Sequence, residues 1–412
     1  MVRFFRSTSV VRPIVGVYLG SEYLSRREIK AYYRLRKLVE ANRKARTTLT
    51  FFTGADVDFA RKRFYGAYYD YRTETWRRKY FPLPDVVYVR GGGRRTRRLL
   101  EKFDDLGIRR INPLAAFYKD DLFKIMSKDP IMRRHLPSTV IIRNWQEAKR
   151  AVRRFGKAYL KAHRGRRGLQ VMRIERAANR RGYWYSYSTL GRLVRRRAIN
   201  LDVAVRSARS FFGSKKIIVQ KAIDLVKLRH NRLVDFRAEV QRDKRGELDI
   251  VGVCVRVGQP NSPITTHAFA YRYEDYLSKL FPHASDREIT NLKYDIKDFL
   301  YNVYEAVERK YGQFGEIGID FGVDRNRRIW LIECNAQSAK VSIVKAYGSR
   351  ADRIFLNPLE YAKLITENSD IPNRTADRAT TDSAASVADF EAAKEEAKPV
   401  EDLGVEELTF QY

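Results

Sequence analysis

The chain has 412 residues, 82 of them Lys or Arg and 49 Asp or Glu, which gives a formal net charge of +33. That length implies two or three domains, and 44% hydrophobic with 12% aromatic residues can fill cores of ordinary size, which excludes global disorder and collagen-, coiled-coil- or mucin-like chains. Two cysteines, Cys254 and Cys334, cannot build a disulfide framework or a four-thiolate zinc site, and no stretch approaches the roughly 18 uninterrupted apolar residues of a membrane helix.

A reducing, cytoplasmic setting is therefore expected. Arg12 and Pro13 interrupt the apolar run at 10–19, and no small-residue cleavage site follows it. Residues 367–412 hold 12 acidic and 4 basic side chains, leaving 78 basic and 37 acidic upstream, so the body is +41 and the tail −8. A body so charged should attract polyanions, and salt should weaken that attraction; the plainer alternative is a generally basic surface without a specific partner.

In chain order, residues 14–19 read as a first strand and the basic, aromatic stretch 23–46 as helical. Phe81-Pro82-Leu83-Pro84 is a rigid lead-in to a strand at 85–90, which ends at Gly91-Gly92-Gly93. Three glycines after a strand can form a phosphate or substrate loop, but without GxGxxG spacing a turn is the simpler reading. Helical spacing recurs over 120–132, Leu136-Pro137-Ser138-Thr139 precedes a strand at 140–143, and 146–155 is a helix. Strands follow at 158–161, at 169–174 and as a pair near 183–190. From Ile217 strands alternate with loops, 286–311 is a long amphipathic helix, and 358–365 is the last periodic segment. Beyond Glu367 the composition reads as a flexible tail with a transient helix near 390–397.

The most informative pattern is Glu316-Ile317-Gly318-Ile319-Asp320-Phe321-Gly322-Val323, a polar turn at 324–327, and Arg328-Ile329-Trp330-Leu331-Ile332-Glu333-Cys334-Asn335. Both halves alternate as strands do. Pairing Val323 with Arg328 sets Asp320 opposite Leu331 and Gly318 opposite Glu333, which puts Asp320, Glu333 and Asn335 on one face as diagonal neighbours about 7 Å apart. Hard oxygen donors at that spacing suit one or two magnesium ions with a triphosphate between them, since magnesium keeps waters and takes its other oxygens from phosphates. Gly318 and Gly322 are expected to leave the face unobstructed. The alternative is a surface hairpin with solvated carboxylates. Cys334 is expected to point the other way with Trp330 and Ile332, as a core thiol rather than a nucleophile.

A second pattern is Lys161 at the end of a strand, followed by a turn containing Gly165 and Gly168, whose backbone amides can approach phosphate oxygens while the lysine supplies a point charge. An arginine-rich hairpin tip is the ordinary alternative, and it could equally hold nucleic-acid backbone. A third is Ile217-Ile218-Val219-Gln220-Lys221-Ala222-Ile223, a buried-looking strand running into a polar break that could offer backbone groups to an adenine edge; by itself it is an ordinary core strand.

Taken in order, these pieces resemble the ATP-grasp superfamily and, within it, the endospore coat-associated YheC/YheD type. The separation of 13 between Asp320 and Glu333 and the Glu333-Cys334-Asn335 ending carry most of the resemblance. Asp235-Phe236-Arg237, Ile111-Asn112-Pro113 before Lys119, Leu136-Pro137-Ser138-Thr139 and the Phe81–Arg90 segment add to it, over about residues 12 to 365.

The resemblance implies an ATP-grasp fold mixing α/β and α+β parts. An N-terminal α/β pre-ATP-grasp domain would cover 1–115, a small lobe 116–225, a large lobe with the metal site 226–366, and a disordered acidic tail 367–412. It implies ATP and Mg2+ as cofactors and ligation of a carboxylate through an acyl phosphate. Lys119 and Lys161 match the lysines that hold phosphates, with Gly165 and Gly168 in the loop. Gln220, Lys221 and Ile223 match the adenine hinge. Asp320, Glu333 and Asn335 match the metal ligands, and Arg237 and Arg256 the catalytic arginines near the transferred phosphoryl group.

The chain also departs from the family pattern. Lys161-Ala162, Gly165-Arg166 and Gln170 replace the usual Lys-Pro, Gly-Ser and a further Gly, and Ala336-Gln337-Ser338-Ala339 replaces a Ser-Lys-Pro-Gly-like stretch. Thr265-Thr266-His267 stands where an asparagine followed by glycines is common. The metal triad is spared, while the phosphate lid and acceptor pocket are touched.

Two classes of function follow. One is an ATP- and magnesium-dependent carboxylate–amine ligase with an unidentified carboxylate substrate, for which an anionic polymer or peptide drawn in by the basic body is the candidate. The other is a structural spore-coat or polyanion-binding protein on a degenerate ATP-grasp scaffold, located by resemblance at the spore surface. No helix-turn-helix, RNA-recognition motif or zinc finger is evident, so a dedicated nucleic-acid protein ranks behind both.

Overall fold

The computed structural model describes residues 12–20, 33–92, 95–163, 170–178, 181–189, 192–260, 262, 265 and 269–367. The expected acidic tail, the glycine turn with Gly165 and Gly168, and the start of the helical stretch from 23 lie outside them.

Among the described residues, the first sheet is built from β1 (Ile14–Tyr18), β2 (Thr48–Phe52), β3 (Val57–Asp58), β4 (Arg63–Asp70), β5 (Thr75–Pro82), β6 (Val86–Val89) and β7 (Arg109–Arg110), with helices α1 (Tyr33–Ala45) and α2 (Thr96–Asp105) between strands. β1 lies between β2 and β6 and runs parallel to both. Continuous apolar runs such as Val86-Val87-Tyr88-Val89 suit a parallel strand covered on both faces. The β4–β5 hairpin was not legible in the sequence, because β5 is mostly exposed and shows no apolar alternation.

Helix α3 (Lys119–Lys128) leads to the second sheet. The helix expected over 120–132 stops at Lys128, and a separate 3-10 turn covers Met132–His135, because Asp129 turns the chain by accepting the Ile131 and Met132 amides. The second sheet holds β8 (Thr139–Ile141), β9 (Lys157–Ala162), β10 (Val171–Arg176), β11 (Tyr183–Thr189), β12 (Arg192–Ala198) and β13 (Ile217–Lys221) in the order β12-β11-β10-β9-β13-β8. Helices α4 (Trp145–Phe155) and α5 (Leu201–Phe212) cover one face, capped by Asn144 and Asn200 accepting the amides of Glu147 and Val203.

The third sheet contains β14 (Lys227–Leu228), β15 (Arg232–Arg242), β16 (Leu248–Val257), β17 (Phe269–Arg272), β18 (Glu316–Val323) and β19 (Ile329–Asn335), in the order β17-β16-β15-β18-β19 with β14 beside β15. Helices α6 (Tyr273–Leu280) and α7 (Asp286–Tyr311) precede β18, and α8 (Val341–Tyr347) and α9 (Arg353–Glu367) follow β19. α7 has the limits read from the sequence, because a Ser285–Glu288 capping box starts it and Gly312 ends it. Its apolar stripe packs on the sheet through Phe299, which meets the Phe321 ring at 5.5 Å, while Phe236 and Phe321 stack at 4.9 Å.

Strand alternation sends Phe236, Ala238 and Val240 into that core and leaves Asp235, Arg237, Glu239 and Gln241 on the other face. α8 packs against the second face at Gly252, where an added Cβ would meet Ile343 and Tyr347, and the α9 carbonyl of Ile354 accepts from Gln241. No helix among the described residues is long and apolar enough to cross a membrane.

Candidate active site

The β18–β19 hairpin brings the two carboxylates closer than the sequence implied. The Asp324 amide donates to the Arg328 carbonyl, so pairing starts at Val323 with Ile329 rather than Arg328. A bulge then shifts the register at Ile332, and Asp320 faces Glu333 directly instead of Leu331, with Gly318 facing Asn335. Without that extra residue Glu333 would pair with Ile319 and point into the core; the bulge returns it to the face of Asp320. The same shift explains Cys334, which joins Ile329 and Leu331 in the core rather than Trp330 and Ile332. Burial drives the Cys334 thiol well above its usual range and the Cys254 thiol up to about 12, so neither is a nucleophile.

The glycines do not keep the face open. An added Cβ at Gly318 would lie 2.7 Å from the Ser338 side chain, and one at Gly322 would lie 2.4 Å from Leu225. Both glycines instead admit neighbouring side chains.

Around Asp320 the charges are tightly paired. Arg237 donates to both carboxylate oxygens, through Nη2 at 2.8 Å and through Nε, and Arg256 Nη2 lies 3.2 Å from Asp320. Arg256 also donates to both Asp235 oxygens at 2.7 Å, and Thr265 donates its hydroxyl to Asp235. Burial pushes the Asp320 carboxyl up, but the Arg237 and Arg256 charges outweigh it and hold the group below the usual carboxylate range. Asp235 goes the other way: burial raises it, and its arginine does not fully offset that.

Facing this row is a cleft whose lining includes Lys119, Lys161, Gln220 and Glu333 with apolar walls of Phe123, Met126, Leu136, Ile218 and Leu331. Such a mixture of apolar walls and convergent polar groups suits a planar ring with a charged tail. Lys119 Nζ donates to Glu333 at 2.8 Å, and Lys161 Nζ to Gln220 at 2.7 Å. The Lys119 amide donates to the His163 carbonyl, Tyr118 stacks on the His163 ring at 4.8 Å, and Asp120 pairs with that imidazole, so the start of α3 is tied to the end of β9. That tie sets the two lysines side by side. Burial, reinforced by Lys119 and opposed by Glu333 and Asp320, lowers the Lys161 ammonium to about 8.

Eight candidates therefore share one region: Lys119, Lys161, Gln220, Arg237, Arg256, Asp320, Glu333 and Asn335. Lys221 and Ile223 sit where β13 leaves the sheet and are not among the cleft-lining residues. The Lys221 amide is spent on the Ser138 carbonyl.

A family model described as "YheC/D like ATP-grasp" matches residues 107–365, more than half of the chain. The chain belongs to the YheC/D-like ATP-grasp family. The endospore coat-associated protein YheD of Bacillus subtilis (strain 168) is 23% identical over 286 residues, which is 66% of this chain and 60% of YheD. YheC of the same strain is 22% identical over 139 residues, 33% of this chain and 37% of YheC. The chain thus spans less than two thirds of the length of either curated relative. Among solved structures, D-alanyl-alanine synthetase A from Vibrio cholerae O1 biovar eltor aligns with a TM-score of 0.50 at 13% identity, over 86% of this chain and 99% of that one, a likeness of fold.

This ATP-grasp chain offers a donor set that fits a hard divalent cation. Asp320 and Glu333 face each other across the hairpin with Asn335 opposite Gly318, and the buried Asn335 Nδ2 is a donor without a hydrogen-bond partner, which a phosphate oxygen would satisfy and a cation would not. Two carboxylates and an amide oxygen would leave other positions to water and phosphate, as is usual for magnesium, and no group of three or more His, Cys, Asp or Glu suited to a metal occurs among the described residues.

Sequence reasoning missed the apolar walls of the cleft and the buried Glu239, which accepts from the Ser338 hydroxyl while that oxygen accepts from Arg237 at 3.2 Å. The walls come from α3, the loop before β8, β13 and β19, so no local pattern announces them. Glu239 was readable, since Asp235, Arg237, Glu239 and Gln241 alternate along one strand.

Proposed function

We propose that the protein is an ATP- and magnesium-dependent ligase that activates a carboxylate as an acyl phosphate. The observation that carries this reading is the cross-strand Asp320–Glu333 pair, with Asn335 beside it, at a cleft where Lys119, Lys161 and Gln220 converge. The adenine ring would lie against the apolar walls of the cleft beside Gln220, and Lys119 and Lys161 would hold the phosphates by charge. Asp320, Glu333 and Asn335 hold magnesium, which neutralises phosphate charge when bound.

Arg237 and Arg256 present permanently charged planar forks to the phosphoryl group in transit. A carboxylate oxygen of the substrate attacks the γ-phosphorus while the bond to ADP breaks. An amine or similar nucleophile then attacks the acyl carbon, phosphate leaves, and the nucleophile gives up its proton. The domain limits 1–115, 116–225 and 226–366 belong to the same reading.

ADP and phosphate release, screened over pairs of carboxylates and amines, is expected to require both partners. The Glu333→Gln variant should lose it while melting within a few degrees of wild type. Wild-type turnover in the variant would rule the reading out.

The ion pairs that already engage the candidate metal ligands support a second reading, a spore-coat scaffold with little or no catalysis. Its polyanion binding would be salt-sensitive and would survive Glu333→Gln. Association with the spore coat is proposed because YheD and YheC are described as endospore coat-associated.

A further inference from the structure

The charge surplus of this protein is concentrated. Residues 139–221, the span of the second sheet, contain 23 Lys and Arg against 3 Asp and Glu, a surplus of 20 out of a net +33 for the whole chain, and 17 of the 23 are arginine. All three acids are already engaged: Glu175 by Lys157 and Arg173, Asp202 by Lys149, and Glu147 by the Arg143 amide. Self-repulsion of this size favours an anionic partner.

The register shows where that charge points. Tyr159 pairs with Arg173, Arg173 with Ser186, and Ser186 with Arg195, so these side chains share the face that carries Lys161 and Gln220. Trp184 pairs with Arg197 on the same face, and the Arg195 guanidinium lies 4.5 Å over the Trp184 ring. Arg173 is buried at 5% exposure; its Nη2 lies 3.3 Å from Glu175 on the same face, while its Nε has no hydrogen-bond partner. Arg195 and Arg197 are exposed on β12, one of the two edge strands of the sheet among the described residues. A cationic track therefore runs from the cleft at Lys161 across β10 and β11 to the edge. Three strand spacings make it about 14 Å long, the reach of about four or five extended residues.

We propose that this track binds an acidic polypeptide, and that this polypeptide is the carboxylate substrate. The inference rests on the ligase reading. The partner must be anionic and able to cross the track, and it must present a carboxylate at the cleft. A nucleic acid meets the charge requirement but has no carboxylate to activate. Arginine's planar fork donates two parallel N–H bonds to a carboxylate, which fits the excess of arginine over lysine.

The test is fluorescence anisotropy of labelled oligo-glutamate, with a single-stranded oligonucleotide of matched charge as comparator, on the full chain and on R195E/R197E and R195Q/R197Q variants. Oligo-glutamate is expected to bind at low salt, to weaken at least tenfold at physiological ionic strength, and to weaken at least tenfold in the charge-reversal variant, less in the neutral one. ATP affinity should stay within about twofold, because both arginines lie outside the cleft, and oligo-glutamate, with hydroxylamine supplied as the nucleophile, should stimulate ADP release from wild type only. Wild-type binding in R195E/R197E, absence of oligo-glutamate binding, or tenfold tighter binding of the oligonucleotide would each overturn the proposal. Variant-sensitive oligo-glutamate binding without ADP release would keep the surface and remove the ligase reading, so the two failures are separable.

Discussion

Lys161 is the residue whose chemistry depends most on its surroundings. Burial, with Lys119 pushing the same way, lowers its ammonium to about 8 against the opposing pull of Glu333 and Asp320. Between about pH 8 and the ordinary lysine value near 10.5, the unfolded chain keeps a proton that the folded protein has lost, so this group makes stability rise with pH across that window and exerts its full penalty below it. Phosphate binding needs the charged form. ATP affinity by calorimetry should therefore fall several-fold from about pH 7 to about pH 9 in wild type and stay flat in Lys161→Met. At this scale the sequence was informative where charge and spacing coincide, as for Lys161, Asp320 and Glu333, while Lys119 came only through the family resemblance; the fold brings the four together. It was uninformative for Ile218 and Leu331, whose part in the cleft exists only after distant segments meet.

The decisive element is the β18–β19 hairpin. Its strands were legible from alternation, but its register was not, because a turn closed by Asp324 and a bulge at Ile332 each shift the pairing by one residue. The two shifts leave the carboxylates on one face, so the grouping survived while the pairing did not. Gly318 is required by this packing: Gly318→Val must displace Ser338, which a Cβ would approach to 2.7 Å, and should cost about 1–3 kcal/mol in urea unfolding. α7 offers an independent check away from the site. Ser285→Ala removes the side-chain acceptor of the Glu288 amide and should lower stability by about 1 kcal/mol without changing nucleotide affinity.

For the whole molecule, the informative contact joins the first sheet to the loop after Asn335. Arg90, just past β6, donates to Glu316 at 2.8 Å and to the Ser338 carbonyl at 2.5 Å, and Asn112 donates to the Ala336 carbonyl at 2.7 Å. Lys340 also pairs with Glu316, so two buried cations share this carboxylate. Arg90→Met leaves one of them and should cost about 3 kcal/mol, the lower end for breaking a buried pair, as read by chemical denaturation. Long-range joints of this kind were invisible in the sequence, where Arg90 was merely the end of a strand. They couple the first sheet to the loop beside the proposed metal ligands, and with it the alignment of the site.

Calorimetric titration of a non-hydrolysable ATP analogue with and without magnesium, on wild type and on Asp320→Asn/Glu333→Gln, tests the nucleotide site most directly. Binding that requires magnesium and weakens at least tenfold in the double variant is expected if these carboxylates hold the metal. Equal affinity with a chelator present, or in the double variant, would contradict it.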